Sequence, residues 1–294
     1  MKKHLTTLLA IGLLAGSLGT LTAHANSSEP PYVSPISGSG WLHDTESQLG
    51  SFHNTYYRLK SKTKATIMMY KTTGGGTVTK PITLPKGTIV AAKKDGKWLE
   101  ARYNTISYGL KKKGIPTKGV AGDGELAFKI KTIQATKITR PAYAPAYGTG
   151  AYLSGGLKAI EQLATYKYNQ VTVTSDGYLE YFPAAKKTFT TYNTFTDSDY
   201  TWSVMHATKP TQSIKITKAN KKGATVNLFT KVKPVGIPSQ RVAKSGKFQY
   251  KVALKNRHQP YTYEDNSYAD DTAIASTYSI GKMPFYTVIG GGFN

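Results

Sequence analysis

Side chains able to do bond-making chemistry are scarce in this chain. Asp and Glu number 16 against 39 Lys and Arg, with six His and no Cys. The absence of Cys excludes thiol nucleophiles and Cys-ligated zinc. Four His lie beyond the N-terminal segment: His43, His53, His206 and His258. They show no HExxH spacing, and each reads as a surface or satisfied core residue. No GxSxG elbow occurs, so serine acyl transfer has no support. The carboxylates cluster in short runs. YEDNSYADD, residues 263–271, holds Glu264, Asp265, Asp270 and Asp271, while Asp197 and Asp199, and Asp123 and Glu125, form closer pairs. Hard cations take such oxygens, but the EF-hand spacing and its central Gly are missing, so these read as solvated loops. A glycosidase needs two carboxylates about 5–10 Å apart across a cleft. Glu100, Glu161, Glu180 and Glu264 are the acids that could form such a pair. Gly74–Gly76 and Gly290–Gly292 lack the Lys of a phosphate-binding loop. No metal and no cofactor is expected.

The basic and aromatic residues say more. Lys93, Lys94, Lys111, Lys112, Lys113, Lys186, Lys187, Lys221 and Lys222 sit at turn signals, where side chains are exposed, and form the candidate polyanion-binding set. Tyr outnumbers Phe, 21 to 9. Its flat apolar ring and polar tip suit wet binding surfaces and sugar rings. Trp98, Tyr103 and Tyr108 are the candidate glycan-stacking residues, and Tyr143, Tyr147, Tyr261, Tyr263 and Tyr268 also lie near loops or Lys-rich text. Lys greatly outnumbers Arg, the residue of bidentate phosphate and base recognition. Diffuse attraction to a polyanion is therefore expected, and sequence-specific nucleic-acid binding is not.

The N-terminus points to where such a partner would be met. Lys2 and Lys3 precede an apolar stretch, Leu5 to Leu21, and Ala23-His24-Ala25 gives a small-x-small cleavage pattern. These are the three parts of a secretory signal peptide, residues 1–25. Its removal takes the formal charge from +23 to +21, with Asn26 first. No later segment offers the roughly 20 apolar residues of a membrane span. The expectation is an exported protein, released or held noncovalently at the cell surface, near teichoic acids or acidic glycans.

The elements that must position these residues read as strands. Residues 26–40, rich in Pro, Ser and Gly, read as a flexible lead-in. From Phe52 onward, short alternating segments follow one another. In GTIVAAKKDGKWLEARYN, residues 87–104, two alternating runs flank Asp95-Gly96, a hairpin signal. Residues 41–115 are expected to form one small β module. Residues 116–165 read as a linker or loop, with a helix at 156–168 that Ser154 could cap. A second β domain is expected over 166–294, with Ser175-Asp176-Gly177 and Lys221-Lys222-Gly223 as further turns. The fold class is thus mainly β: two small barrels or sandwiches joined by a linker with one short helix.

Within residues 56–113, the strand ending at Tyr70, the LPKGTIV bend, the DGKWLEA hairpin and the closing ISYGLKKK carry a resemblance. The segment resembles bacterial SH3-like wall-binding modules and a module of secreted surface proteins of lactobacilli. The resemblance implies noncovalent attachment to wall polymers. The combined expectation is a secreted, non-enzymatic surface protein that binds anionic wall polymers or glycans through a Lys- and Tyr-rich β surface. Two alternatives stand beside it: a wall-active, glycosidase-like hydrolase with carboxylates in the second half, and a host-glycan or mucin adhesin.

Overall fold

The computed structural model describes residues 33–35, 54–71, 77–114, 120–121, 127–156, 168–184, 209–264 and 272–293. The described strands, in chain order, are β1 (Val33–Pro35), β2 (Tyr56–Leu59), β3 (Thr63–Lys71), β4 (Thr77–Leu84), β5 (Ile89–Asp95), β6 (Trp98–Arg102), β7 (Val120–Ala121), β8 (Ala127–Lys131) and β9 (Ala135–Ile138), followed by β10 (Ala151–Ser154), β11 (Gln170–Val173), β12 (Tyr178–Phe182), β13 (Gln212–Lys222), β14 (Thr225–Thr230), β15 (Gln240–Arg241), β16 (Tyr250–Glu264), β17 (Thr272–Ile280) and β18 (Met283–Phe293). The protein is mainly β, as its alternating sequence predicts.

β2 to β9 form one antiparallel sheet in the order β4-β3-β8-β6-β5-β2-β9, with β7 on β3. The β5–β6 hairpin pairs Asp95 with Trp98 and Ala92 with Ala101. Gly96 closes its turn at φ 53°, a conformation that costs Gly little. Alternation then decides what is covered: Leu99 and Ala101 are buried, while Trp98, Glu100 and Arg102 are partly exposed. Leu59, Ile82, Leu84, Val90, Leu99, Phe128 and Ile130 form the core.

The remaining strands form a ring. β16-β14-β13-β12-β11-β10-β18-β17 are neighbours in that order, and β17 pairs back onto β16. This is a closed eight-stranded antiparallel barrel, which leaves no strand edge within the ring. Its interior holds Tyr152, Val171, Leu179, Leu228, Val252, Leu254 and Phe285. β1 and β15 pair onto the long β16.

Three boundary expectations change. The first sheet does not stop at residue 115: β8 carries Phe128 and Ile130 into its core, and β9 pairs with β2 along its length. The linker expected over 116–165 therefore contains strands of both sheets, because short runs such as AFKIK and ATKI pair with distant partners and need little periodicity of their own. Its Pro-Ala-Tyr-Gly stretch is tied down as well. Asn54 donates to the carbonyl of Gly148 (2.8 Å), and the Tyr56 hydroxyl donates to that of Pro145 (2.6 Å). In the lead-in, Val33–Pro35 forms a strand against Tyr261–Tyr263. Most of the helix expected at 156–168 lies outside the described residues. A four-residue helix, Tyr108–Lys111, occurs instead within the first module, between β6 and β7.

Gly148 shows how tightly this connection fits. It sits at φ 67°, and a Cβ there would lie 2.5 Å from the Val288 carbonyl oxygen of β18. Gly148→Ala combines backbone strain with a clash against backbone, and is expected to cost about 2 kcal/mol. Urea unfolding of the variant beside the parent measures this, with a lower midpoint expected.

Candidate functional site

Lys93, Lys94, Lys112, Lys113, Lys221 and Lys222 are exposed, as turn positions predict. Lys186 and Lys187 lie outside the described residues. Lys111 is a correction: its side chain is only 2% exposed. It ends the helix Tyr108–Lys111 and turns inward, with its ammonium 5.4 Å from the centre of the Tyr103 ring. Tyr103 is a correction too. It is buried within the first core, so its ring faces protein and not a glycan. Trp98 and Tyr108 are partly exposed. Lys93, Lys94 and Trp98 share the β5–β6 hairpin.

A larger cationic surface lies on the barrel. Residues directly opposite in a sheet share one face. Across β13, β14 and β16, Lys218 stands opposite Phe229 and Phe229 opposite Lys251. In the same way Lys222 stands opposite Thr225 and Thr225 opposite Lys255. Leu228, Val252 and Leu254 point into the core, so these rows face outward. Two aromatic rings sit among the cations. Phe229 and Phe248 meet edge to face at 6.4 Å, and the Lys218 ammonium lies 5.7 Å from the Phe248 ring centre. Phe248 is 42% exposed, enough for its ring to meet a ligand. Turn-based reading found only Lys221 and Lys222 here. A stronger signal was present: residues 200–263 contain eleven Lys, two Arg and no Asp or Glu.

Two of the four carboxylates that could form a hydrolytic pair, Glu100 and Glu180, are engaged by other groups. Glu100 on β6 pairs with Lys129 at 3.0 Å. Glu161 lies outside the described residues, and Glu264 ends β16. Glu180, on β12, is fully buried between the two sheets. Its Oε1 accepts from the Tyr108 N–H and the Ser213 hydroxyl, each at 2.8 Å. Asp176 makes a similar pair of contacts, accepting from the Ser107 N–H (2.9 Å) and the Ser107 hydroxyl (2.6 Å). Two barrel carboxylates thus hold the start of the Tyr108–Lys111 helix. The Asp176 turn is not a free hairpin tip but a dock: the Ser175 N–H donates to the Thr105 carbonyl at 2.7 Å and its hydroxyl to that of Ile89 at 3.0 Å.

Burial sets the protonation of this contact. It raises the Glu180 carboxyl above the ordinary glutamate range, while the Lys111 ammonium nearby pulls it partly back. Burial also lowers the Lys111 ammonium, opposed by Glu180 and Asp176. His258 is exposed, at φ 51°, and the other three His lie outside the described residues. Among the described residues, no group of three or more His, Asp or Glu could hold a metal ion. No helix among them is long and apolar enough to cross a membrane.

Beside the dock lies a cleft of about 530 Å³, bounded by Pro85–Ile89 and Ser107 of the first sheet and by Tyr143, Asp176, Tyr178, Ser213 and Lys215. Tyr178 and Lys215 are directly opposite on β12 and β13, on the outward face. Farther along β13, that face carries Lys218 and Lys222. The Lys215 ammonium donates to the Asp176 carbonyl (2.7 Å) and lies 4.4 Å from the Tyr178 ring centre. The Tyr143 hydroxyl donates to the Ser175 carbonyl at 3.0 Å, and burial pushes its phenol up to about 12. One outward surface therefore runs from a polar cleft to an open field of lysines.

Comparison with protein-family models, with curated proteins and with solved structures finds no match to this chain.

Proposed function

We propose that this is an exported, non-enzymatic cell-surface protein that holds anionic wall polymers such as teichoic acids, or acidic glycans, on the outer face of its barrel. The observation that carries the reading is the registered set Lys218, Lys222, Lys251 and Lys255 around Phe229, on one face of β13, β14 and β16. Like charges concentrated on one face create a local potential that draws in a polyanion. The exposed Phe248 ring adds a surface against which a sugar can pack. The signal-peptide pattern supports export to the surroundings in which such polymers occur. The first module, resembling wall-binding SH3-like domains, supplies a second set of exposed lysines at Lys93, Lys94, Lys112 and Lys113.

Salt tests this directly. Mature protein added to Gram-positive walls at about 50 mM NaCl is expected to bind. It is expected to elute on the order of 1 M, where the Debye length falls to about 3 Å. Walls stripped of teichoic acid are expected to retain much less protein. Retention that does not change between those salt concentrations would sink the reading.

A further inference from the structure

We infer that the cleft between the two sheets binds a single sugar unit carrying a phosphate or a carboxylate. This rests on the polymer-binding reading and names the unit of the polymer that is recognised. The volume, about 530 Å³, falls within the roughly 300–1,000 Å³ of small-molecule sites. The cleft's hydrogen-bonding capacity then selects the ligand.

Among the described residues five hydroxyls line it, and four have already committed their proton: Ser107 to Asp176, Ser213 to Glu180, Thr88 to the Pro85 carbonyl and Tyr143 to the Ser175 carbonyl. What these oxygens still offer is lone pairs, so a ligand must bring O–H donors to them. The cations ask for the opposite. Lys215 uses one ammonium proton on the Asp176 carbonyl and keeps two for a ligand. Lys86 stands on the opposite wall, exposed. Among the described residues lining the cleft, the one carboxylate, Asp176, is held by Ser107 and lies against the Ser107 side. A ligand that donates several hydroxyls and also presents an anion satisfies both halves. Inorganic phosphate meets the cations but brings too few O–H donors for the acceptors, and a neutral sugar meets the acceptors but leaves the cations without an anion. Tyr178, clamped by Lys215, contributes ring surface for the apolar side of a pyranose.

Titration calorimetry on the mature full chain tests this with glucose 1-phosphate and glucuronic acid as the two anionic probes, beside glucose and inorganic phosphate. At least one acidic sugar is expected to bind saturably, one per chain and at least ten-fold tighter than glucose or phosphate; which one binds identifies the source of the anion. Lys215→Gln and Lys86→Gln are each expected to weaken binding at least five-fold, while Lys62→Gln/Lys64→Gln, exposed on the first sheet, leaves it within two-fold. The inference is overturned if neither acidic sugar binds saturably, if phosphate alone binds as tightly, or if the Lys62/Lys64 variant loses as much as Lys215→Gln. The same proteins are assayed on walls in parallel. Salt-sensitive wall binding without sugar binding removes the cleft inference alone, and sugar binding without wall binding removes the polymer reading.

Discussion

Glu180→Ala is expected to destabilise the protein by about 3–5 kcal/mol, the range for breaking a buried charged contact by removing one partner. Three losses coincide. The Tyr108 N–H and the Ser213 hydroxyl lose their acceptor, and a buried donor left unpaired costs about 1–3 kcal/mol. Lys111, itself buried, loses the carboxylate that does more than Asp176 to favour its charged form. Lys111→Met removes that orphaned ammonium, so Lys111→Met/Glu180→Gln is expected to cost far less than Glu180→Ala. Gln keeps an oxygen for both donors. Urea unfolding of the variants measures the difference, and a Glu180→Ala cost below about 1 kcal/mol would show that the carboxylate does not hold the sheets together. The pH dependence has a definite sign. Burial raises the Glu180 carboxyl in the folded chain, so as pH falls through that raised value the fold binds a proton that the unfolded chain still lacks. Its contribution to stability therefore grows as pH falls toward the ordinary glutamate range, and levels off below it. Glu180→Gln is expected to abolish this part of the pH profile. Lys111, lowered by burial, acts at the alkaline side, where its contribution grows with rising pH.

Local pattern accounts for much of this fold. The β5–β6 hairpin follows from alternation around Asp95-Gly96, and the exposure of Lys93, Lys94, Lys221 and Lys222 from their places beside turns. Long-range pairing accounts for what was not legible. Ser175-Asp176-Gly177 has the form of a free hairpin tip, and nothing local shows that Ser107 will close on it. Lys111 belongs to a run of three lysines, yet one turn of helix sends it inward while Lys112 and Lys113 remain outside. Likewise, placing Lys218 on the same face as Lys222 depends on where the β13–β14 register shifts, between Ile216 and Lys218. A bulge of that kind exchanges inward and outward positions downstream, so period-two counting from Ile214 assigns the wrong face. The cationic field was visible in the sequence as charge composition over residues 200–263, but its concentration on one face was not.

That concentration makes a prediction that net charge alone does not. Replacing Lys218, Lys222, Lys251 and Lys255 together with Gln is expected to weaken binding to teichoic acid about 1,000-fold at low salt, taking about 1 kcal/mol for each Lys near an anionic surface. By analogy with counterion release from nucleic acid, the slope of log affinity against log salt should flatten by about 3, at roughly 0.7–0.9 per neutralised contact. Stability should change little, because these side chains point out of the barrel. What they add to the fold comes mainly from the Lys218 contact with Phe229 and Phe248, worth about 0.5–1 kcal/mol at an exposed site. A control of equal charge, Lys62, Lys64, Lys93 and Lys94 to Gln, alters the first sheet instead. There, Asp95 and Glu100 stand beside the lysines, with Glu100 directly opposite Lys93, so the local field is weaker before any substitution. The control is expected to lose less than 30-fold. If the two variants lose affinity equally, the polymer responds to total charge, and the registered rows on β13, β14 and β16 are not its binding surface.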